Sequence, residues 1–250
     1  MKIFCIGKNY ALHNEEMDGR QYKTAEPVVF MKPESALLKN GKPFFLPEHL
    51  GRVDHEVEVV VRICRLGKNV SERFAHRYYD AVTVGIDFTA RDLQRRLKDN
   101  GHPWEIAKAF DGSAAIGKWV APPQPSPVGR EGSLTSARLR RFHSDSGERT
   151  LPSREGGIIT MANQTPLPSG GVGGGFHFHL DINGKTVQTG FTGDMLYKVD
   201  ELISYISRYF TLKTGDMLFT GTPVGVGPVH VNDHLEGYLE DKKLLDFWVR

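Results

Sequence analysis

Val53-Asp-His-Glu-Val-Glu-Val-Val-Val-Arg-Ile-Cys64 is dense in β-branched residues and free of Gly and Pro, so it reads as one extended strand. A side-chain period of two puts Val57, Val59, Val61 and Ile63 on one face and Glu56, Glu58, Val60 and Arg62 on the other. The valine face packs on a core, so the two glutamates point together to the opposite side, a functional or a solvated one. Residues 71–80 read as helical, and Ala81 to Phe88 as a second strand. There Val82, Val84, Ile86 and Phe88 face one way and Asp87 the other, with Thr83 and Gly85. Thr89-Ala-Arg-Asp92 then has the Thr-x-x-acid pattern of a helix start, with Leu93 and Leu97 at helical spacing and a stop at Asn100-Gly101.

Outward from this pair, hairpin signals recur. Asn40-Gly41 lies between Ala36-Leu-Leu38 and Pro43-Phe-Phe-Leu46, and Asn183-Gly184 lies between Phe176–Ile182 and Lys185–Gln188. Asp200 to Leu212 reads as an amphipathic helix with Leu202, Ile203, Ile206, Tyr209 and Phe210 on one stripe and Asp200 as its cap. A strand at Asp216–Thr220, a Gly-rich turn from Gly221 to Pro228 and two strands around Glu240–Lys243 follow. Strands outnumber helices and mostly follow one another directly. The expected class is therefore α+β, a β-rich rolled mixed sheet, largely antiparallel, folded on itself with a few flanking helices.

The chain has 250 residues, 39% of them apolar and 25% charged, which supplies a sizeable core. Its net charge of +2 lacks the basic surplus of a nucleic-acid binder, so no nucleic acid is expected as partner. No stretch approaches the roughly 20 apolar residues of a membrane span, and the first residues fit no signal peptide, so no membrane is expected either. Two cysteines, Cys5 and Cys64, make no disulfide framework; two buried thiols in a cytoplasmic protein are expected. Of 27 Gly and 14 Pro, residues 121–175 hold 10 and 7, with no sustained apolar periodicity. This segment reads as a flexible insertion, with one or two short extended pieces such as Gly157–Met161, in a single domain spanning 1–250.

The chemistry centres on acids. Glu56, Glu58 and Asp87 offer oxygen ligands without a thiolate, which suits a hard cation such as Mg²⁺ or Mn²⁺ and argues against structural zinc, although a Glu-x-Glu on a strand also describes a plain solvated face. Arg91 and Gln94, three apart, share one helix face, and Lys108 can donate to an oxyanion if folding turns it inward. His13 and Glu16 are three apart in a short helix, so the carboxylate can orient the imidazole as a general base; taken alone, His13 reads as a surface histidine. His177 and His179 alternate on a strand without a third ligand, and Arg138-Leu-Arg-Arg141 reads as a solvated charge cluster. The glycine runs at 170–175 and 221–227 lack the ending of a phosphate-binding loop.

The order of these motifs resembles the fumarylacetoacetate hydrolase family, above all its compact acylpyruvase and oxaloacetate decarboxylase members. The residues that carry the resemblance are Gly7-Lys-Asn-Tyr10 with His13 and Glu16, Lys32-Pro33, His55-Glu-Val-Glu58, Gly85–Gln94, Trp104–Asp111 and Thr220–Gly227. It spans the chain except 121–175, where members have a short connection. The resemblance implies that Glu56, Glu58 and Asp87 bind Mg²⁺ or Mn²⁺, with Ca²⁺ as a substitute, and that a small 2-oxo acid chelates the metal. It implies carbon-carbon hydrolysis of acylpyruvates, or decarboxylation of oxaloacetate, through a metal-stabilised enolate; the alternative is isomerisation or tautomerisation of an unsaturated 2-hydroxy or 2-oxo dicarboxylate. By the same resemblance His13, Glu16 and Lys108 are catalytic, Arg91, Gln94 and Thr222 contact substrate, the His13 segment is a lid, and the protein is a homodimer.

Overall fold

The computed structural model describes residues 1–38, 41–122 and 175–250, and the chain on both sides of the gap packs into one unit. The expected excursion at 121–175 therefore lies, apart from its ends, outside the described residues, as do the extended piece at Gly157–Met161, the basic cluster and nearly all of the glycine run. In chain order the elements are β1 (Ile3–Gly7), α1 (Ala11–Asp18), β2 (Val28–Lys32), β3 (Leu37–Leu38), β4 (Val53–His55), β5 (Val57–Ile63), α2 (Glu72–Ala75) and β6 (Tyr79–Asp87). There follow β7 (Thr89–Ala90), α3 (Arg91–Asp99), α4 (Glu105–Lys108), β8 (Ala114–Ile116), β9 (His177–Ile182), β10 (Lys185–Phe191) and α5 (Val199–Tyr209). The chain closes with β11 (Met217–Phe219), β12 (Gly227–Pro228), β13 (His234–Leu239) and β14 (Lys242–Trp248).

The strands form a rolled mixed sheet system with few helices. A seven-stranded sheet runs β2-β1-β11-β5-β6-β8-β3, a four-stranded sheet runs β10-β9-β13-β14, and a short one runs β12-β4-β7. Only β1 with β11 and β3 with β8 pair in parallel among the described strands. The strand predicted over residues 53–64 is interrupted at Glu56. Its first part, β4, pairs with β7 and β12, whereas β5 pairs with β6 and β11, so the break hands the chain from one sheet to another.

Both faces of β5 are buried, which corrects the expectation of a possible solvated side. Val57, Val59 and Val61 join a core with Phe178, Leu180, Leu235 and Leu245 of the four-stranded sheet, and Val60 joins a second core with Ile3, Cys5 and Phe219. Hydrophobic area removed from water on both sides holds this strand rigidly, and with it the acids it carries.

Several local expectations change. The helix predicted over 71–80 shortens to α2, because β6 begins at Tyr79 and takes its residues into the sheet. Leu37–Leu38 pairs with β8 and Phe44 with Val249, so no hairpin ladder joins the segments flanking Asn40-Gly41 among the described residues. The second hairpin forms as expected, β9 with β10, and Asn183 and Gly184 adopt φ of 54° and 75°, which a two-residue turn requires. Thr89 does not cap α3; its hydroxyl accepts from Lys108 Nζ instead. Asp200 does not cap α5, whose N-cap is Lys198, with Glu201 accepting the Lys198 N–H. Tyr209 and Phe210 are exposed rather than on the buried stripe, Phe210 lying past the end of the helix, and Cys64 is half-buried while Cys5 is buried. No helix among the described residues is long and apolar enough to cross a membrane.

Candidate metal centre and active site

Glu56 stands at the β4/β5 break, Glu58 two residues on in β5, and Asp87 at the end of the neighbouring β6. The Asp87 N–H donates to Glu56 O at 2.9 Å, which ties the two backbones together. All three carboxylates are buried, at 5%, 2% and 1% exposure, and one oxygen from each lies within 4.8 Å of the others. Three like charges at this distance in a dry interior repel strongly unless cations are supplied.

The chain supplies three. Lys108 Nζ, from the last turn of α4, donates to Glu56 Oε2 (2.7 Å), Asp87 Oδ2 (2.8 Å) and Thr89 Oγ1 (2.6 Å), so all its protons are committed. Arg91 opens α3 and donates through NH2 to Glu56 Oε1 (2.5 Å), through Nε to Asp54 Oδ2 (2.8 Å) and through NH1 to Gln94 Oε1 (2.9 Å). Lys32, from β2, is buried with its Nζ 2.7 Å from Asp87 Oδ1. Its protons are directed at the carbonyls of Lys108 and Ser113 and at the Ser113 hydroxyl.

This distribution of charge is uneven. Burial alone would raise the Glu56 carboxyl, but Lys108 and Arg91 outweigh it and hold the group far below its ordinary range. Burial followed by repulsion from Asp87 and Glu56 pushes Glu58 well above it, with the Gly221 N–H at 2.7 Å as its one direct hydrogen bond among the described residues. Gly221 makes that bond from a φ of 99°, and a Cβ there would stand 2.7 Å from Asn9 Cβ, so glycine is required. Lys108 is itself raised: the pull of Asp87 and Glu56 overcomes the burial that opposes its charge.

A divalent cation fits these residues. The donors are oxygens only, Asp87 Oδ1 is buried with the Lys32 ammonium beside it and no directed hydrogen bond among the described residues, and Glu58 lacks the counter-charge that Glu56 has. Such a set suits a hard cation, Mg²⁺, Mn²⁺ or Ca²⁺.

Facing the acids is a cavity of about 70 Å³ opening to solvent, lined by Glu56, Glu58 and Asp87 together with His13, Arg91, Gln94, Lys108 and Thr222. All but one of the residues singled out in the sequence thus meet there. Glu16 is the exception, behind His13 rather than on the wall: its Oε2 lies 3.1 Å from His13 Nδ1 and its Oε1 accepts the Gly225 N–H at 3.1 Å. Burial opposes Glu16's ionisation, but these bonds prevail and lower it, keeping a carboxylate on the imidazole. Thr222 donates its hydroxyl to Val57 O (2.9 Å) and accepts from Gln188 Nε2 (2.8 Å), which anchors the Gly-rich turn to β5. His177 and His179 stack on Phe191 and Tyr238 instead, each with centroids 4.5 Å apart.

Sequence reasoning did not single out Lys32, Asp54 or Gln188. Lys32 stood inside a quoted motif, whereas Asp54 and Gln188 lie in strands with no pattern of their own. Gln188 is the least legible: its Oε1 accepts the Val57 N–H (3.0 Å), a contact across 131 residues.

Comparison with known proteins gives the family. A family model described as fumarylacetoacetate (FAA) hydrolase C-terminal matches residues 2–249. The oxaloacetate tautomerase of Escherichia coli is 34% identical over 94% of this chain and 86% of its own length. The mitochondrial oxaloacetate tautomerase of Mus musculus is 30% identical over 99% and 91%. Among solved structures, the fumarylpyruvate hydrolase of Pseudomonas aeruginosa, in complex with Mn²⁺ and pyruvate, superposes with a TM-score of 0.73 at 27% identity, covering 100% of this chain and 90% of that one. Matched from end to end in sequence and fold, the chain belongs to the fumarylacetoacetate hydrolase family.

Proposed function

We propose that the chain is a divalent-metal-dependent enzyme that acts on small 2-oxo acids by forming and reprotonating their enols, with oxaloacetate tautomerisation as its first activity. The observation that carries this reading is the buried Glu56, Glu58 and Asp87 triad opening onto the same cavity as the Glu16-oriented His13. A bound Mg²⁺ or Mn²⁺ supplies Lewis-acid stabilisation for charge developing on an enol oxygen.

The remaining work falls to side chains. With Nδ1 donating to Glu16, His13 Nε2 is the basic nitrogen; it takes a proton from the carbon next to the keto group and gives it to the keto oxygen, which yields the enol, and the same two transfers in reverse restore the ketone. Arg91 uses three of its five N–H donors on protein groups, leaving two for a substrate carboxylate beside Gln94. Lys108 fixes Glu56 and Asp87 and places its positive charge beside the substrate oxyanion, its own protons staying on protein groups.

A second reading keeps the same enolate and adds bond cleavage: His13 activates water against an acylpyruvate, or oxaloacetate loses carbon dioxide. The fumarylpyruvate hydrolase neighbour favours it. The test is an ultraviolet assay of oxaloacetate enol decay with Mg²⁺ or Mn²⁺, run beside pyruvate detection on oxaloacetate and acetylpyruvate. Accelerated enol decay without pyruvate supports tautomerisation, pyruvate release supports cleavage, and neither contradicts both. The family likeness also leads us to propose a homodimer, which light scattering after gel filtration checks.

A further inference from the structure

A second cavity, of about 260 Å³, lies against the acid-lined one and is not used by the chemistry above. The two share Phe30, Trp104 and Lys108 in their walls. Phe30 and Trp104 meet edge to face, with centroids 6.3 Å apart at 63°, and Lys108 Nζ stands 5.2 Å over the Phe30 ring while bonding Glu56 and Asp87. A molecule in the second cavity therefore lies one residue away from the candidate metal centre.

The rest of that cavity is apolar. It is lined by Val28, Val29, Met31 and Pro103, and its one acid, Glu105, is exposed. Val28 to Met31 stay half-buried because β2 is the edge of its sheet, pairing only with β1 among the described strands. The space is several times the roughly 30 Å³ share of a water molecule, and walls of this kind give water few partners, so filling it with hydrocarbon is favourable.

We infer that this cavity is the subsite for the distal part of the substrate, and that the chain takes 2-oxo acids whose far end is an apolar tail, the carboxylate and keto oxygens staying at the acids. This rests on the 2-oxo acid reading above and deepens it by naming the substrate class. The wall that the two cavities share at Phe30, Trp104 and Lys108, which sets the second one directly beside the acids, is what favours a substrate tail over a second copy of the chain on the β2 edge.

Calorimetry with Mg²⁺ present tests it, using oxalate as the head-group reference and 2-oxobutanoate, 2-oxohexanoate and 2-oxooctanoate as a series of growing tails. Binding is expected to tighten by about fourfold per added methylene until the cavity is full. Val28→Trp, which fills the cavity from outside the acid-lined one, is expected to flatten the series and leave oxalate unchanged. Should that variant also lose oxalate, Pro103→Trp, on an exposed position of the wall, gives the same readout. A flat series in the wild type with oxalate bound overturns the inference, as does a slope that survives a filling variant or a filling variant that changes only the oligomer mass. Failure of oxalate itself to bind overturns the underlying reading instead.

Discussion

Two trios of ligand-bearing side chains in this chain have the same spacing and opposite surroundings. Glu56, Glu58 and Asp87, and separately His234, Glu236 and Asp246, each bring one ligand atom per residue within 4.8 Å of the others. The second trio lies on strands β13 and β14 at a water-facing surface, with Lys243 Nζ 2.8 Å from both Glu236 and Asp246 and His234 Nε2 2.7 Å from Asp246. Hydrogen bonds from Lys243 and His234 hold Asp246 low, and hydrogen bonds to Asp246 and Glu236 hold Lys243 high, so both carboxylates there touch a cation. In the buried trio Glu58 is left with a single backbone donor and is driven the other way. Ligand spacing is thus common to an ion-pair network and a metal centre; burial, together with a carboxylate that no cation touches, separates them.

Breaking one carboxylate of each trio gives the largest contrast. Asp87→Asn should cut Mg²⁺ or Mn²⁺ affinity and turnover by about 100-fold or more, and Asp246→Asn should change neither, read by calorimetry and the enol assay. Next come the lysines. Lys108→Met leaves Glu56 and Asp87 buried without their shared cation and should cost about 3–5 kcal/mol in urea denaturation, partly recovered by added Mg²⁺. Lys243→Met, at an exposed position, should leave the midpoint in place.

A smaller effect is in the pH dependence. Glu58 titrates in the fold well above 4.5, so the folded metal-free chain keeps a proton that the unfolded chain has released. Its contribution is full below 4.5 and is lost as pH rises through the raised value; Glu56, held low, contributes above 4.5 and is lost only as pH falls below it. A cation replaces the Glu58 proton, so Mn²⁺ affinity should climb with pH over the Glu58 window, and the weak residual binding left in Glu58→Gln should show no such climb. Smallest is Glu16→Gln, which keeps a hydrogen bond to His13 but removes the charge: turnover should fall while Mn²⁺ affinity holds.

The sequence reading reached the strands of the core and the three acids because period-two valines and the Glu-x-Glu alternation are local signals. It missed the break at Glu56, since that break is made by the partners of β4 and β5 rather than by the residues of the segment. Thr89 had the chemistry of a cap, and Lys108 claimed its hydroxyl from 19 residues away. Asp54 and Gln188 were illegible for the same reason: their roles are contacts at long sequence separation, to Arg91 and to Val57. The motif order supplied what pattern could not, that Lys108 and His13 turn toward the acids.

The central claim is that the buried trio, and not its exposed counterpart, holds the metal on which a 2-oxo acid assembles. Mn²⁺ binding followed by electron paramagnetic resonance, with oxalate added second, tests it on the wild type and on Glu58→Gln and Glu236→Gln. The account predicts one tight Mn²⁺ per chain whose spectrum shifts with oxalate, retained in Glu236→Gln and lost in folded Glu58→Gln. Tight Mn²⁺ that survives Glu58→Gln, or that leaves with Glu236→Gln, would contradict it.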